Sequence, residues 1–302
     1  MIVMVDVFIQ QMVRQLVDGS GPPTAFLTPA GDPGLLGPES MPWEVHADFM
    51  AMMIGGISSL VLQALHPGAL AGVWDHSSFR RDLQGRLGRT AFFIAATTYG
   101  PTAMANQMID KVNRIHGHIT GTDEFGKPYS ASDPHLLNWV HLTETNSFMR
   151  AYLRYRNPNL SGADIDRYYV EMCLIGNRLG AIDLADTALA TDQAIAAYLP
   201  ELHYGERARA IVTLLDEYPS SLHSRPFVRL VSKAGFLNLP DWAYPLINRK
   251  VPSAFERNAV LSAINLIAKP VRKALQNGVA AHSYRRIYGL NSNKEKSHAT
   301  QH

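Results

Sequence analysis

Twelve histidines stand against a single cysteine in this chain of 302 residues, so metal chemistry here would run on imidazole and oxygen donors rather than on thiolate clusters. Cys173 alone excludes an intramolecular disulfide, a cysteine-cluster site and a multi-cysteine haem attachment motif. Flanked by Met172, Leu174 and Ile175, it reads as a small buried apolar side chain, with an axial haem thiolate as the sharper alternative. His116 is the first candidate ligand. Stepping back along a helix from it meets Val112, Ile109 and Ala105, an inward stripe, while Asn106, Asp110, Lys111, Asn113 and Arg114 mark the wetter side. His118 is turned about 200° away from it. A buried neutral imidazole needs a partner for each nitrogen; an iron ion or a backbone carbonyl would serve, and the local pattern leaves both open.

His141 is the second candidate, with Glu144 one turn later on the same helix, a pair able to share a metal. A carboxylate-bridged di-iron centre needs a second such pair and two further inward acids. No second pair is found, and Glu171 is the nearest lone acid, so His141 reads as a supporting histidine beside a cofactor. Arg86 and Thr90 share a face at the start of the apolar run Ala91-Phe92-Phe93-Ile94-Ala95. A guanidinium there requires an anion, either a buried carboxylate or a haem propionate, unless it is simply solvated. Arg89 lies beside them. His66, followed by Pro67, reads as the end of a hydrophobic helix where the dipole welcomes an imidazole, or as a group lining the open face of a cofactor.

The elements that position these residues are helices. Helical period covers about 44–66, 83–99, 102–118, 134–156, 162–182, 204–217, 223–236 and 254–288, the last broken at Pro270. Asp133-Pro134 and Ser161 are start signals. Gly121 to Tyr129 is the one stretch suited to a small hairpin. The expected organisation is an N-terminal helix with a Gly/Pro-rich arm (1–42), one all-α helical domain (43–290) and a polar, disordered tail (291–302). Met1 to Val17 is apolar but contains Asp6 and lacks a basic start; it reads as an amphipathic helix docked on the body, with peripheral membrane contact as the minor reading. Phe49 to Leu65, interrupted by Gly55, Gly56, Ser58, Ser59 and Gln63, falls short of the roughly 20 residues of a membrane span and reads as a buried central helix. With 18% charged residues and a net charge of +2, there is no basic block to hold nucleic acid. A cytoplasmic location is the default.

The ordered series His66-Pro67, Asp75-His76-Ser77, Arg86-Leu87-x-x-Thr90, Thr98-Tyr99-Gly100, Arg114-Ile115-His116, Tyr129-Ser130, Asp133-Pro134 and Trp139-Val140-His141 resembles the catalytic domain shared by bacterial rubber oxygenases (latex-clearing proteins) and fungal MpaB-type oxygenases. A weaker echo follows in Gly176-x-x-Leu179-Gly180. The resemblance implies an all-α fold with a globin-like core around a non-covalent haem b. It places the proximal ligand at His116, with Arg86 and Thr90 near the distal side. In the picture built on it, His66 and Arg89 are candidate distal polar groups, and His141 stands beside the cofactor as a supporting histidine. The implied activity is a haem-dependent oxidoreductase or oxygenase acting on a small apolar organic substrate with dioxygen or a peroxide. A non-catalytic haem carrier or sensor is the alternative. Two departures bear on the substrate. Where some rubber oxygenases carry a lysine before the motif threonine, this chain has Arg89, a poor iron ligand. His66-Pro67 is also untypical of the rubber enzymes, so polyisoprene is not the expected substrate.

Overall fold

The computed structural model describes residues 23–77, 79, 82–218, 222 and 224–289. The N-terminal helix expected within Met1–Val17 and the tail 291–302 lie outside them. Thirteen α-helices and one two-stranded sheet make up an all-α domain among the described residues. In chain order the helices are α1 (Met41–Ala47), α2 (Phe49–Gln63), α3 (Pro67–His76), α4 (Leu83–Tyr99) and α5 (Thr102–His116). After β1 (Thr120–Thr122) and β2 (Pro128–Ser130) come α6 (Pro134–Tyr155), α7 (Gly162–Arg178), α8 (Ala188–Tyr198), α9 (Glu206–Asp216), α10 (Arg225–Leu237), α11 (Ala243–Leu246), α12 (Ala254–Ala274) and α13 (Val279–Tyr288).

The axis of the fold is α2 laid on α6. A Cβ at Gly55 would sit 2.8 Å from Phe148 Cδ1 and 2.9 Å from the Ser147 carbonyl oxygen, so the two backbones approach as only glycine permits. On its other side α2 meets α10, where a Cβ at Gly235 would sit 2.6 Å from Ile57 Cβ. Buried Asn238 donates to Ser58 Oγ (2.8 Å) and to the Ser147 carbonyl (3.1 Å) and ties the three helices together. The small and polar residues that interrupt Phe49–Leu65 are thus its packing surface, and among the described residues no single helix is long and apolar enough to cross a membrane. Apolar side chains fill both flanks of this axis. Met50, Ile54, Tyr168 and Ile264 lie on one flank, and Leu62, Leu65, Trp139 and Leu239 on the other.

Several expected boundaries move. The helix expected over 44–66 is two helices meeting at 93°, broken at Asp48. Asp48 caps α2 by accepting from the Ala51 amide (2.9 Å) and receives the Arg272 guanidinium on its other oxygen. The break expected at Pro270 is absent, and α12 runs on to Ala274. The carbonyl that loses its partner there belongs to Leu266, whose side chain is exposed, so the proline falls on the solvent side of the helix. Asp133 and Ser161 cap α6 and α7 as expected, accepting from the amides of His135 (2.9 Å) and Asp164 (3.1 Å). The hairpin forms in the register Gly121↔Tyr129. The Gly/Pro-rich arm is more ordered than its composition suggests. Phe26 is buried against Phe92, and Asp32 accepts from the backbone and hydroxyl of Thr102 at the start of α5 (2.9 and 2.7 Å).

Candidate functional site

Helices α4 and α5 are joined by Gly100-Pro101 and run back along each other, so the start of one meets the end of the other. This brings together Arg86, one turn inside α4, and His116, the last residue of α5. Ala105 and Ile109 are buried as the helical stripe requires, and His116 follows them, half-buried. A helix C-terminus would favour a charged imidazole, but burial, seconded by the Arg86 guanidinium, outweighs it and holds the His116 pKa below its ordinary value. His116 Nδ1 is buried with no hydrogen-bond partner, so the carbonyl that would satisfy a core histidine is not there. Arg86 is equally unanswered. Burial first, and Arg89 second, depress its pKa, and no carboxylate pairs with it among the described residues. Thr90 Oγ1 donates back to the Arg86 carbonyl (3.2 Å) on the same face.

A second set of groups faces inward from α6 and α7. The His141 ring lies against Gly176, where an added Cβ would come within 2.7 Å of Nδ1. Burial pushes its pKa down to about 4, so the ring is neutral. Glu144, one turn on, is pushed up to about 7 by burial alone. Neither side chain finds a hydrogen-bond partner among the described residues, and both keep some accessible surface despite the burial that shifts them. Next to Glu144 stands buried Tyr168, whose hydroxyl meets His46 Nε2 (3.1 Å), and His46 Nδ1 meets Thr98 Oγ1 (2.9 Å). This chain reaches from α7 through α1 to α4. The helical spacing of His141 and Glu144 is visible in sequence, whereas Gly176, Tyr168, His46 and Thr98 join the site only through packing.

The remaining sequence candidates point elsewhere. Arg89 is exposed and paired with Asp82 (3.5 Å) at the N-cap of α4. His66 does not end a helix; it caps the start of α3, its Nδ1 facing the Ala69 amide (3.5 Å), and its Nε2 meets Glu201 (3.3 Å) rather than the His116 neighbourhood. Pro67 is the first residue of the new helix, which is why the imidazole sits at an N-terminus. His118 is exposed. Glu171, the lone acid considered for a di-iron centre, is taken by the Met41 amide (2.7 Å) and Arg167 (2.8 Å). Cys173 is a half-buried thiol, raised in pKa by burial and set against the Ala185 carbonyl.

A pocket beside Arg86 is lined almost wholly by apolar groups, among them Leu60, Leu70, Leu87, Val140 and Ile211. All five residues of Ala91–Ala95 on α4 are only half-covered although all are apolar. Among the described residues, the interior around α4, α5 and α6 therefore offers an imidazole nitrogen without a hydrogen-bond partner, a guanidinium without a carboxylate, and half-covered apolar side chains. No curated protein and no solved structure matches the chain. Residues 43–292 match the family described as ER-bound oxygenase mpaB/B'/rubber oxygenase, catalytic domain, and with more than half of its length inside that match the chain belongs to this family of oxygenase catalytic domains.

Proposed function

We propose that this chain is a haem b-dependent oxidoreductase of the oxygenase type, acting on a small apolar organic substrate with dioxygen or a peroxide as oxidant. The observation that carries the reading is the pair of unanswered side chains, His116 and Arg86, side by side in a partly buried corner. An iron takes a neutral imidazole lone pair and a haem propionate pairs well with a guanidinium; among the described residues His116 Nδ1 has no hydrogen-bond partner and no carboxylate pairs with Arg86. When bound, haem supplies the redox chemistry that no side chain here can. The chain supplies the rest. His116 presents an uncharged ring because burial and Arg86 disfavour its protonation. Arg86 neutralises a carboxylate, with its own carbonyl tied to Thr90. Glu144, titrating near neutrality, holds or releases a proton at its carboxyl, and His141, neutral at the same pH, offers a lone pair one turn away. The apolar pocket at Arg86 favours a hydrocarbon group over a charged one.

An absorption spectrum of the purified protein, as isolated and after dithionite, tests the cofactor. A Soret band is expected in the wild type and lost in His116→Ala, with His118→Ala retaining it. A colourless preparation that stays so after hemin is added sinks the haem reading, and a normal spectrum in His116→Ala sinks the ligand assignment. Substrate-dependent oxygen uptake is the readout that a haem carrier or sensor would not show.

A further inference from the structure

Away from that corner, three metal-ligating side chains converge. His66 comes from the α2–α3 junction, His135 from the first turn of α6 and Glu201 from the 3₁₀ turn Leu199–Glu201 after α8. His66 Nε2 lies 3.3 Å from Glu201 Oε2, His135 Nε2 lies 2.9 Å from Oε1, and one donor atom from each of the three residues falls within 4.8 Å of the others. Tetrahedral zinc with bonds of about 2.0–2.1 Å sets its ligands about 3.3 Å apart, so the spacing is already close to a coordination edge.

The rings are held in place. Tyr198 stacks on His135 at 4.5 Å between centroids, and its hydroxyl donates to the His135 carbonyl (2.9 Å). Trp139 and Tyr198 both flank His66. The His203 amide donates to the Leu65 carbonyl (2.7 Å), tying the loop that carries Glu201 to the one that carries His66. His66 is buried, Glu201 half-buried and His135 exposed, so the cluster opens to water on one side.

We propose that His66, His135 and Glu201 form a divalent metal site of the zinc class, separate from the His116 corner, with water in the remaining position. Two neutral imidazoles and one carboxylate make the nitrogen-and-oxygen donor set such an ion takes, and the open side gives it access. Binding replaces the two N–H···O contacts to Glu201 by bonds to the ion. The proton of His66 moves to Nδ1, giving up only the Ala69 contact, which at 3.5 Å lies at the outer limit of a hydrogen bond. Because the three ligands come from separate elements, the ion would also clasp α3, α6 and the turn after α8.

The test is calorimetric titration of ZnCl2 into the full-length protein after chelator dialysis, alongside His135→Ala and Glu201→Gln. Both changes lie at accessible positions, and circular dichroism checks that each variant keeps the helical fold. One tight equivalent is expected in the wild type. Each variant should weaken it by more than about 100-fold, beyond the 10–100-fold that loss of a merely supporting contact brings. No tight equivalent in the wild type overturns the proposal, and so does an equivalent that survives both substitutions. Neither result depends on haem.

Discussion

Glu144 keeps its proton up to about 7 because burial penalises the carboxylate, while burial keeps His141 neutral down to about 4. The two signs differ. Between the ordinary carboxyl value of 4.5 and about 7, the folded state holds a Glu144 proton that the unfolded chain has released, so this group's contribution falls as pH rises through that window. For His141 the unfolded chain gains its proton below 6.5 and the folded state only near 4, so that contribution falls as pH drops across the interval. Glu144→Gln is therefore expected to exceed the wild type in urea-unfolding free energy by on the order of 2–3 kcal/mol at pH 8 and to converge with it below pH 4.5; parallel curves would show that the carboxyl is solvated. Arg86→Gln removes the charge proposed for a propionate and should speed haem transfer to a scavenging protein by roughly 10- to 100-fold, the equivalent of one charged hydrogen bond. An unchanged rate would leave Arg86 without that role. Helical spacing puts His116 behind the buried stripe of α5, but the pattern alone leaves it open between a core histidine and a ligand; the family resemblance supplies the ligand assignment. The company of His66 was not legible in sequence, since His135 and Glu201 reach it from distant parts of the chain, although Pro67 as a first helical residue already marks an N-terminus there.

Two glycines separate positioning the site from building the fold. At Gly176 on α7, an added Cβ meets the ends of side chains, Leu184 Cδ1 at 2.5 Å and His141 Nδ1 at 2.7 Å. Gly176→Ala should fold, lose about 1–3 kcal/mol and shift the His141 ring resonance in an NMR titration. At Gly55 the Cβ meets Phe148 Cα and the Ser147 carbonyl oxygen, both at 2.9 Å. Backbone cannot swing aside, so Gly55→Ala should cost more than Gly176→Ala by urea unfolding, and equal costs would mean that α2 and α6 slide freely. Helices with clear caps or one-sided apolar faces, such as α4, α6 and α7, could be read from sequence within a few residues. Those that the periodicity missed have physical reasons. α8, Ala-Leu-Ala-Thr-Asp-Gln-Ala-Ile-Ala-Ala-Tyr, carries small residues all round and shows little polar contrast, and α3 is short and rich in glycine.

At the scale of the molecule, the N-terminal arm is fastened to α4 and to the start of α5. Phe26 packs on Phe92 of α4, and beside them Trp43 packs against Tyr99 and Tyr284. What holds the arm is Arg286 of α13. Only 2% exposed, it donates from Nε to the Asp32 carbonyl (2.8 Å) and from Nη1 to the Phe26 carbonyl (3.0 Å), while the Gly31 amide donates to its own carbonyl (2.7 Å). Gly34 turns beside it with φ +77°, 2.5 Å from the Gly100 carbonyl oxygen as measured from a built Cβ, a position closed to other residues. Composition had marked this stretch as irregular, because the partners that order it lie at the far end of the chain. Arg286→Met keeps most of the volume and removes the donors, leaving two carbonyls unanswered beneath the arm. The expected cost is about 2–3 kcal/mol in urea unfolding. Because Arg286 holds the arm to the body, the same variant should be nicked faster by protease within residues 27–40. A variant cleaved in the arm at the wild-type rate would show that the apolar contacts of Phe26 and Trp43 hold the arm without the latch.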